Sequence, residues 1–349
     1  MGLSLRKVGT KTLIVLGLLI GIVVYALFFF IVYEGDITKF FDIITRGSTS
    51  DVIGAYIFRT LVLIVHGLAW WAIIRALGKA DPIKVVEITL ASLFIEFVVP
   101  IGGATELAKF YLITKFKITD REGAFASIMM HRLIGSTSLL ITTVISLVVV
   151  NAPFTLYLGL GLPALILVIA NVTLLLLPKY HRIERLIQRI LNRFGKSVSG
   201  LARNYNFKLA QFSKSLPFIG LAVGLTFLER FLNAFYGIDI GNITGMHLSL
   251  PASILAFDSL YAIIWMLPAI TPGGVGIFEF IQTSLLLALG IGVDEAATMS
   301  ILSRIYYVIG EYPLFIFSVL GLGYNIREFI RSSVSEIRKE KKEGIFPGT

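Results

Sequence analysis

Apolar residues in this chain come in long unbroken runs, not in the one-sided periods of a helix with one face in water. The first, "TLIVLGLLIGIVVYALFFFIVY" at 12 to 33, is long enough to cross a bilayer core of about 30 Å. It lacks a small-residue cleavage pattern, so it is expected to stay as a helix of the mature protein. Further runs at about 52–76, 123–150, 154–177, 216–238 and 296–322 bring the full spans to about six. The pattern predicts an all-α, polytopic membrane protein.

Two stretches break the pattern. "VVEITLASLFIEFVV" (85 to 99) is stopped by Pro100, Gly102 and Gly103 before "ATELAKFYLITKF" resumes to 116. "LPASILAFDSLYAIIWMLPAI" (250 to 270) is stopped by Thr271, Pro272, Gly273 and Gly274, and a short arm follows to about 290. The arms of the first break, at 13 to 15 residues, give roughly 20 Å of helix, too short for the bilayer core. Two re-entrant helical hairpins are therefore expected, over 85–116 and 250–290. Proline removes a backbone donor and glycine permits the turn, and the released polar groups are tolerable only beside protein or a water-filled cavity.

Charge gives the runs an orientation. Of 31 Lys and Arg, 24 fall in 1–11, 75–84, 115–121, 179–214 and 327–342, which lie on one side if these spans hold. The positive-inside bias then places both termini in the cytoplasm. The first hairpin enters from that side and the second from the other. The stretch 178–215, with "HRIERLIQRILNRF", reads either as a basic amphipathic helix on anionic inner-leaflet headgroups or as a basic linker packed on the protein. The chain divides into an N-terminal half (1–177), this connector, a C-terminal half (216–322) and a basic tail (323–349).

The halves repeat with opposite sense. Pro100 precedes Arg132 by 32 residues and Pro272 precedes Arg304 by the same 32. Glu106 follows the first glycine pair as Glu279 follows the second, and Arg59 and Arg230 stand 41 and 42 residues before prolines Pro100 and Pro272. Inverted repeats of broken helices are how many transporters build a mid-membrane site reached alternately from each side. One detail fits badly, because these limits put Arg59 and Arg230 both nearer the outer face.

Composition excludes several classes. The net charge of +9 sits on one membrane side and does not mark a nucleic-acid binder. With no cysteine and four scattered histidines, disulfides, thiolate chemistry and a metal site are not expected. No cofactor is implied, and no P-loop motif is present. What remains is five cations inside apolar runs: Arg59, Lys109, Arg132, Arg230 and Arg304. They could be paired structurally, Arg132 with Glu106 or Glu96, Arg304 with Glu279 or Glu311, Arg230 with Glu229 or another helix. They could instead line a cavity and hold a phosphate, which the guanidinium fork matches, helped by the helix starts after each break. Glu106 and Glu279 could cap those starts, bind protons or exchange arginine partners. Asp258 and Glu96 are weaker candidates, and His131 reads as a packing residue. Gly17-x-x-x-Gly21 and Gly220-x-x-x-Gly224 are close-packing motifs of little specificity.

The elements P-x-G-G-x-x-E at 100–106, H-R at 131–132 and "LPAITPGGVGIFE" at 267–279 resemble the lysylphosphatidylglycerol synthase transmembrane-region family over about 10–322. The resemblance implies lipid translocation between leaflets, with re-entrant hairpins around a central cavity. No acyltransferase-like or glycosyltransferase domain follows the last span, so aminoacyl-lipid synthesis is not expected.

The leading expectation is a flippase or transporter in the cell membrane, without an ATP-binding motif, moving a phospholipid or a polyprenyl-phosphate-linked sugar. The alternative is a membrane-embedded lipid-modifying transferase or a glycosyltransferase accessory subunit, against which stand short exterior loops and the absence of a D-x-D pair. Membrane lipids are the expected partners. A homo-oligomer and a partner glycosyltransferase stay open.

Overall fold

A computed structural model describes residues 36–98, 103–176, 210–266 and 274–342, with isolated positions 23, 26, 30 and 208. Most of the first apolar run, most of the basic connector, and Pro100, Gly102, Thr271, Pro272 and Gly273 lie outside the described residues. Those described are helical, with no strand among them.

A short helix α1 (Ile37–Ile44) occupies the segment expected as an exterior loop, started by Asp36, whose carboxylate accepts from Thr38 N at 2.9 Å. The first long helix, α2 (Thr49–Leu77), begins with a reciprocal cap in which Ser48 and Asp51 each accept the other's backbone N–H at 3.2 Å. Next come α3 (Pro82–Val98), α4 (Ala104–Lys115) and α5 (Arg121–Val149). Asp120 caps α5 by accepting from Gly123 N and also holds Lys208 of the connector, both at 2.8 Å. Helix α6 runs through Phe154–Leu156, a π-helical turn Tyr157–Gly161 and Leu162–Leu176.

The second half begins with α7 (Leu216–Ile243), followed by α8 (Leu250–Ile264), α9 (Ile277–Ala288), α10 (Val293–Gly321) and α11 (Ile326–Lys342). Two more π-turns interrupt it, Ile254–Asp258 in α8 and Tyr307–Glu311 in α10. Among the described residues four helices are long and apolar enough to cross a membrane, or five if α10 and the bent segment after it count as one span.

Helices α2 and α7 lie antiparallel along their whole length. Asn242 Nδ2 donates to Asp51 Oδ1 at 3.2 Å at one end, and the Arg75 guanidinium lies 5.0 Å from the Phe218 ring at the other. In lipid, apolar burial does not drive helix association, so close packing and polar contacts such as these carry it. Helix α7 runs five residues beyond the limit near 238 expected from the sequence. Asp239 and Asn242 look like loop residues in the pattern, yet they face α2. Arg230 therefore sits near the middle of α7 and not at its outer end. At the level of Arg59 it is Asn233, not Arg230, that makes the contact, at 3.3 Å. Arg230 thus lies about one turn of α7 away from the level of Arg59.

The two helix pairs fold back on themselves at opposite ends of the bundle. Lys84, at the start of α3, lies 5.0 Å from the ring of Phe116, just past α4, and donates to the Gly321 carbonyl closing α10 at 3.3 Å. In the other pair, Leu248 before α8 and Leu286 near the end of α9 share one core with Ile240 and Ile243, the far end of α7. Both return arms start from glycine in a left-handed or related positive-φ conformation, Gly103 (φ 75°) before α4 and Gly276 (φ 86°) before α9. An L side chain adopts that backbone only with strain. Trp70, Ile88, Phe94, Phe110 and Phe315 fill the core around the first pair, and Leu255, Leu260, Phe278 and Leu285 the core around the second.

Candidate functional site

Arg132, Arg304, Arg59 and Arg230 each meet a carboxylate directly. Arg132 on α5 donates to Glu106 on α4. Arg304 on α10 donates through Nε to Glu279 Oε1 on α9 at 2.5 Å. Arg59 on α2 donates through Nε to Glu311 Oε1 in the π-turn of α10 at 2.8 Å. Arg230 on α7 donates through Nη1 to Asp258 Oδ1 in the π-turn of α8 at 2.9 Å, and through Nη2 to the Gly135 carbonyl at 3.3 Å. Buried charges without such partners would carry a desolvation cost of several kcal/mol each, which is why pairing is the rule.

Lys109, the fifth, contacts an imidazole that itself faces an acid. Lys109 Nζ on α4 stands 3.3 Å from His66 Nε2 on α2. His66 Nδ1 faces both oxygens of Glu229 on α7, each at 3.2 Å. The ring of His131 lies 4.7 Å from that of His66, so His131 packs against this chain of groups.

The contacts Arg132–Glu106 and Arg304–Glu279 are one arrangement made twice. In each, the acid is the third residue of the return arm and the arginine comes from the helix that follows. Glu279 also caps its own arm, accepting from Gly276 N at 2.6 Å, which suits a carboxylate at a helix start. Exposure separates the copies: the Arg132 side chain is 32% exposed and that of Arg304 is 9%. Arg132 also lies 5.2 Å from the ring of Trp265, at the end of α8, so it touches both helix pairs. From Trp265 an aromatic belt continues through Tyr261 to Phe278 and Tyr307, with the Tyr261 and Tyr307 hydroxyls 2.5 Å apart. Arg304 lies 4.9 Å from Phe278, and Arg59 3.8 Å from Tyr307.

Arg132, Glu106 and the exposed Gly103 thus gather at the first return arm, and Arg304, Glu279 and the half-buried Gly274 at the second. Arg230 is held by Asp258, on another helix as one of the two sequence readings had it, while Glu311, offered in the sequence to Arg304, holds Arg59. Glycines Gly220 and Gly224 are a correction. Neither has another atom within 4 Å of where a Cβ would stand, so they pack against nothing described in this chain. His66, Trp265, Tyr261 and Tyr307 were not singled out beforehand. A histidine in the middle of an apolar run was the available signal for His66; the aromatics carried none.

This architecture is that of a multi-pass α-helical membrane protein with a polar, charge-paired interior. The chain belongs to the lysylphosphatidylglycerol synthase TM region family, whose profile matches residues 14–311. Its function accordingly lies with membrane lipids. No curated protein and no solved structure matches the chain.

Proposed function

We propose that this protein moves a lipid with an anionic headgroup, a phospholipid or a polyprenyl-phosphate-linked sugar, between the leaflets of the cell membrane. In this reading it is a transporter and not an enzyme. Both hairpins re-enter the membrane from opposite faces, and the basic segments and both termini face the cytoplasm, where the connector meets anionic headgroups.

One observation carries the reading: Arg132, in the interior of a 29-residue apolar helix, keeps a third of its side chain exposed. An arginine facing hydrocarbon near the bilayer centre costs about 2.5–3.5 kcal/mol on insertion scales. Exposure at that depth calls for a polar groove. A guanidinium there offers a rigid, permanently charged fork suited to phosphate. Glu106 holds one nitrogen of the fork, and a headgroup phosphate takes its place on arrival. The matching pair in the inverted half, Arg304 with Glu279, is shut. When inverted halves exchange roles the site changes sides, so the described state is the one open at the first pair.

The test is lipid movement in liposomes containing the purified protein, followed with a fluorescent anionic lipid and an impermeant quencher. Arg132→Ala should slow movement roughly tenfold or more, the worth of one charge-assisted hydrogen bond of about 1.5 kcal/mol or above. Equal rates in the variant and the natural protein would overturn the assignment of Arg132.

A further inference from the structure

The Lys109–His66–Glu229 chain is not needed to hold a headgroup at Arg132, and its geometry suits another task. It joins three helices, α4 and α2 of the first half and α7 of the second, by contacts of 3.3 and 3.2 Å. Lys109 is buried over the Trp70 ring at 5.1 Å, while the His66 side chain is 25% exposed, so one end is enclosed and the middle has access. We infer that Lys109, His66 and Glu229 form a proton relay that couples lipid movement to the proton gradient, an inference that rests on the transport reading above.

With Nδ1–H donated to Glu229, His66 Nε2 presents a lone pair to the Lys109 ammonium. A relay step breaks a Lys109 N–H bond as Nε2–H forms, and breaks Nδ1–H as an O–H bond forms on Glu229. The products are a neutral amine, the other imidazole tautomer and a carboxylic acid. Total charge of the three groups is zero before and after. In a low-dielectric interior the step trades the desolvation cost of two ions against their attraction. Imidazole is the side chain suited to pass a proton near neutral pH. Over a cycle Glu229 gives its proton to water on one side, Lys109, enclosed in this arrangement of the helices, takes one from water on the other once they move, and a turn of the His66 ring restores the first tautomer.

The surroundings link this step to the headgroup. On α4, Glu106 stands one turn before Lys109 and within its electrostatic reach. On α5, His131 faces the chain, on α7 Arg230 adjoins Glu229, and on α8 Asp258 neutralises Arg230. With Lys109 charged, Glu106 is flanked by two cations, and Arg132 has charge to offer a phosphate. With Lys109 neutral, Glu106 has Arg132 as its nearest cation and reclaims it, which expels the headgroup.

The experiment uses the whole protein in liposomes with an internal pH dye and fluorescent phosphatidylglycerol, under an imposed pH gradient. Proton flux should accompany lipid movement, and His66→Gln, which keeps hydrogen bonds but cannot shuttle a proton, should cut proton flux by about tenfold or more. Glu229→Gln provides the same readout if His66→Gln does not fold. Lipid movement with no proton flux would overturn the relay and leave the transport reading standing. Proton flux that depends on His66 without lipid movement would uphold the relay and remove the lipid cargo. Equal flux in variant and natural protein, or none in either, would overturn the relay.

Discussion

Arg59 Nε and Glu311 Oε1 meet at 2.8 Å with both side chains buried, tying the first long described helix to a π-turn in α10, 252 residues later in sequence. The Tyr307 ring lies 3.8 Å from the guanidinium, so the start and the end of that turn both contact Arg59. Removing one partner of such a pair strands the other charge. Arg59→Ala should destabilise the protein by about 3–5 kcal/mol, while a double replacement by Met and Leu should recover most of it. Thermal unfolding in detergent reads the difference; equal losses in single and double variants would mean that the pair is not the source.

In the transport reading Glu106 competes with a headgroup for Arg132. Glu106→Gln should bind an anionic lipid more tightly, by about tenfold, and move it more slowly because release is no longer assisted. Binding of short-chain phosphatidylglycerol in micelles and liposome transport measure the two effects separately. Weaker binding would show that Glu106 orients Arg132 and does not oppose the ligand.

The natural chain has no cysteine, so single introduced cysteines report topology without background. Ile83 at the start of α3 and Lys117 just past α4 are exposed, as are His247 before α8 and Val293 at the start of α10. An impermeant thiol reagent should label cysteines at 83 and 117 from the cytoplasmic face and those at 247 and 293 from the other. Labelling of 83 and 117 from different faces would turn the first hairpin into two spans.

Gly237 on α7 marks a tight crossing. A Cβ there would stand 2.3 Å from Ser253 Oγ and 2.6 Å from the ring of buried Phe257. Gly237→Ala should cost about 1–3 kcal/mol by overpacking. Gly224→Ala, thirteen residues earlier on the same helix with nothing within 4 Å, should be neutral or add up to about 1 kcal/mol of helix preference. Matching thermal shifts in the two variants would contradict the packing.

Particular residues show what could be read in advance. The acid–arginine pairs at 106 with 132 and 279 with 304 were visible because spacing repeats between the halves, and a charge inside an apolar run needs a partner. The partners of Arg59 and Arg230 were not visible, since Glu311 and Asp258 reach them through π-turns whose extra residue shifts the helical phase and leaves no mark in a 3.6-residue pattern. The Lys109–His66–Glu229 contact joins helices 43 and 163 residues apart in sequence, and periodicity has no information at that range. Asp239 and Asn242 misled for the opposite reason: polarity suggested a loop where it meant a neighbouring helix.

A π-turn holds one residue more than an α-helical turn would over the same stretch. That surplus behaves like a dislocation in a crystal row: it can move along the rod without melting it. At Tyr307–Glu311 a slide by one position would swing Glu311 through about 100° around the axis. Arg59 would lose its grip while every other turn of α10 stayed wound, so the latch between α2 and α10 can be undone by a local slip that leaves the bundle's packing in place.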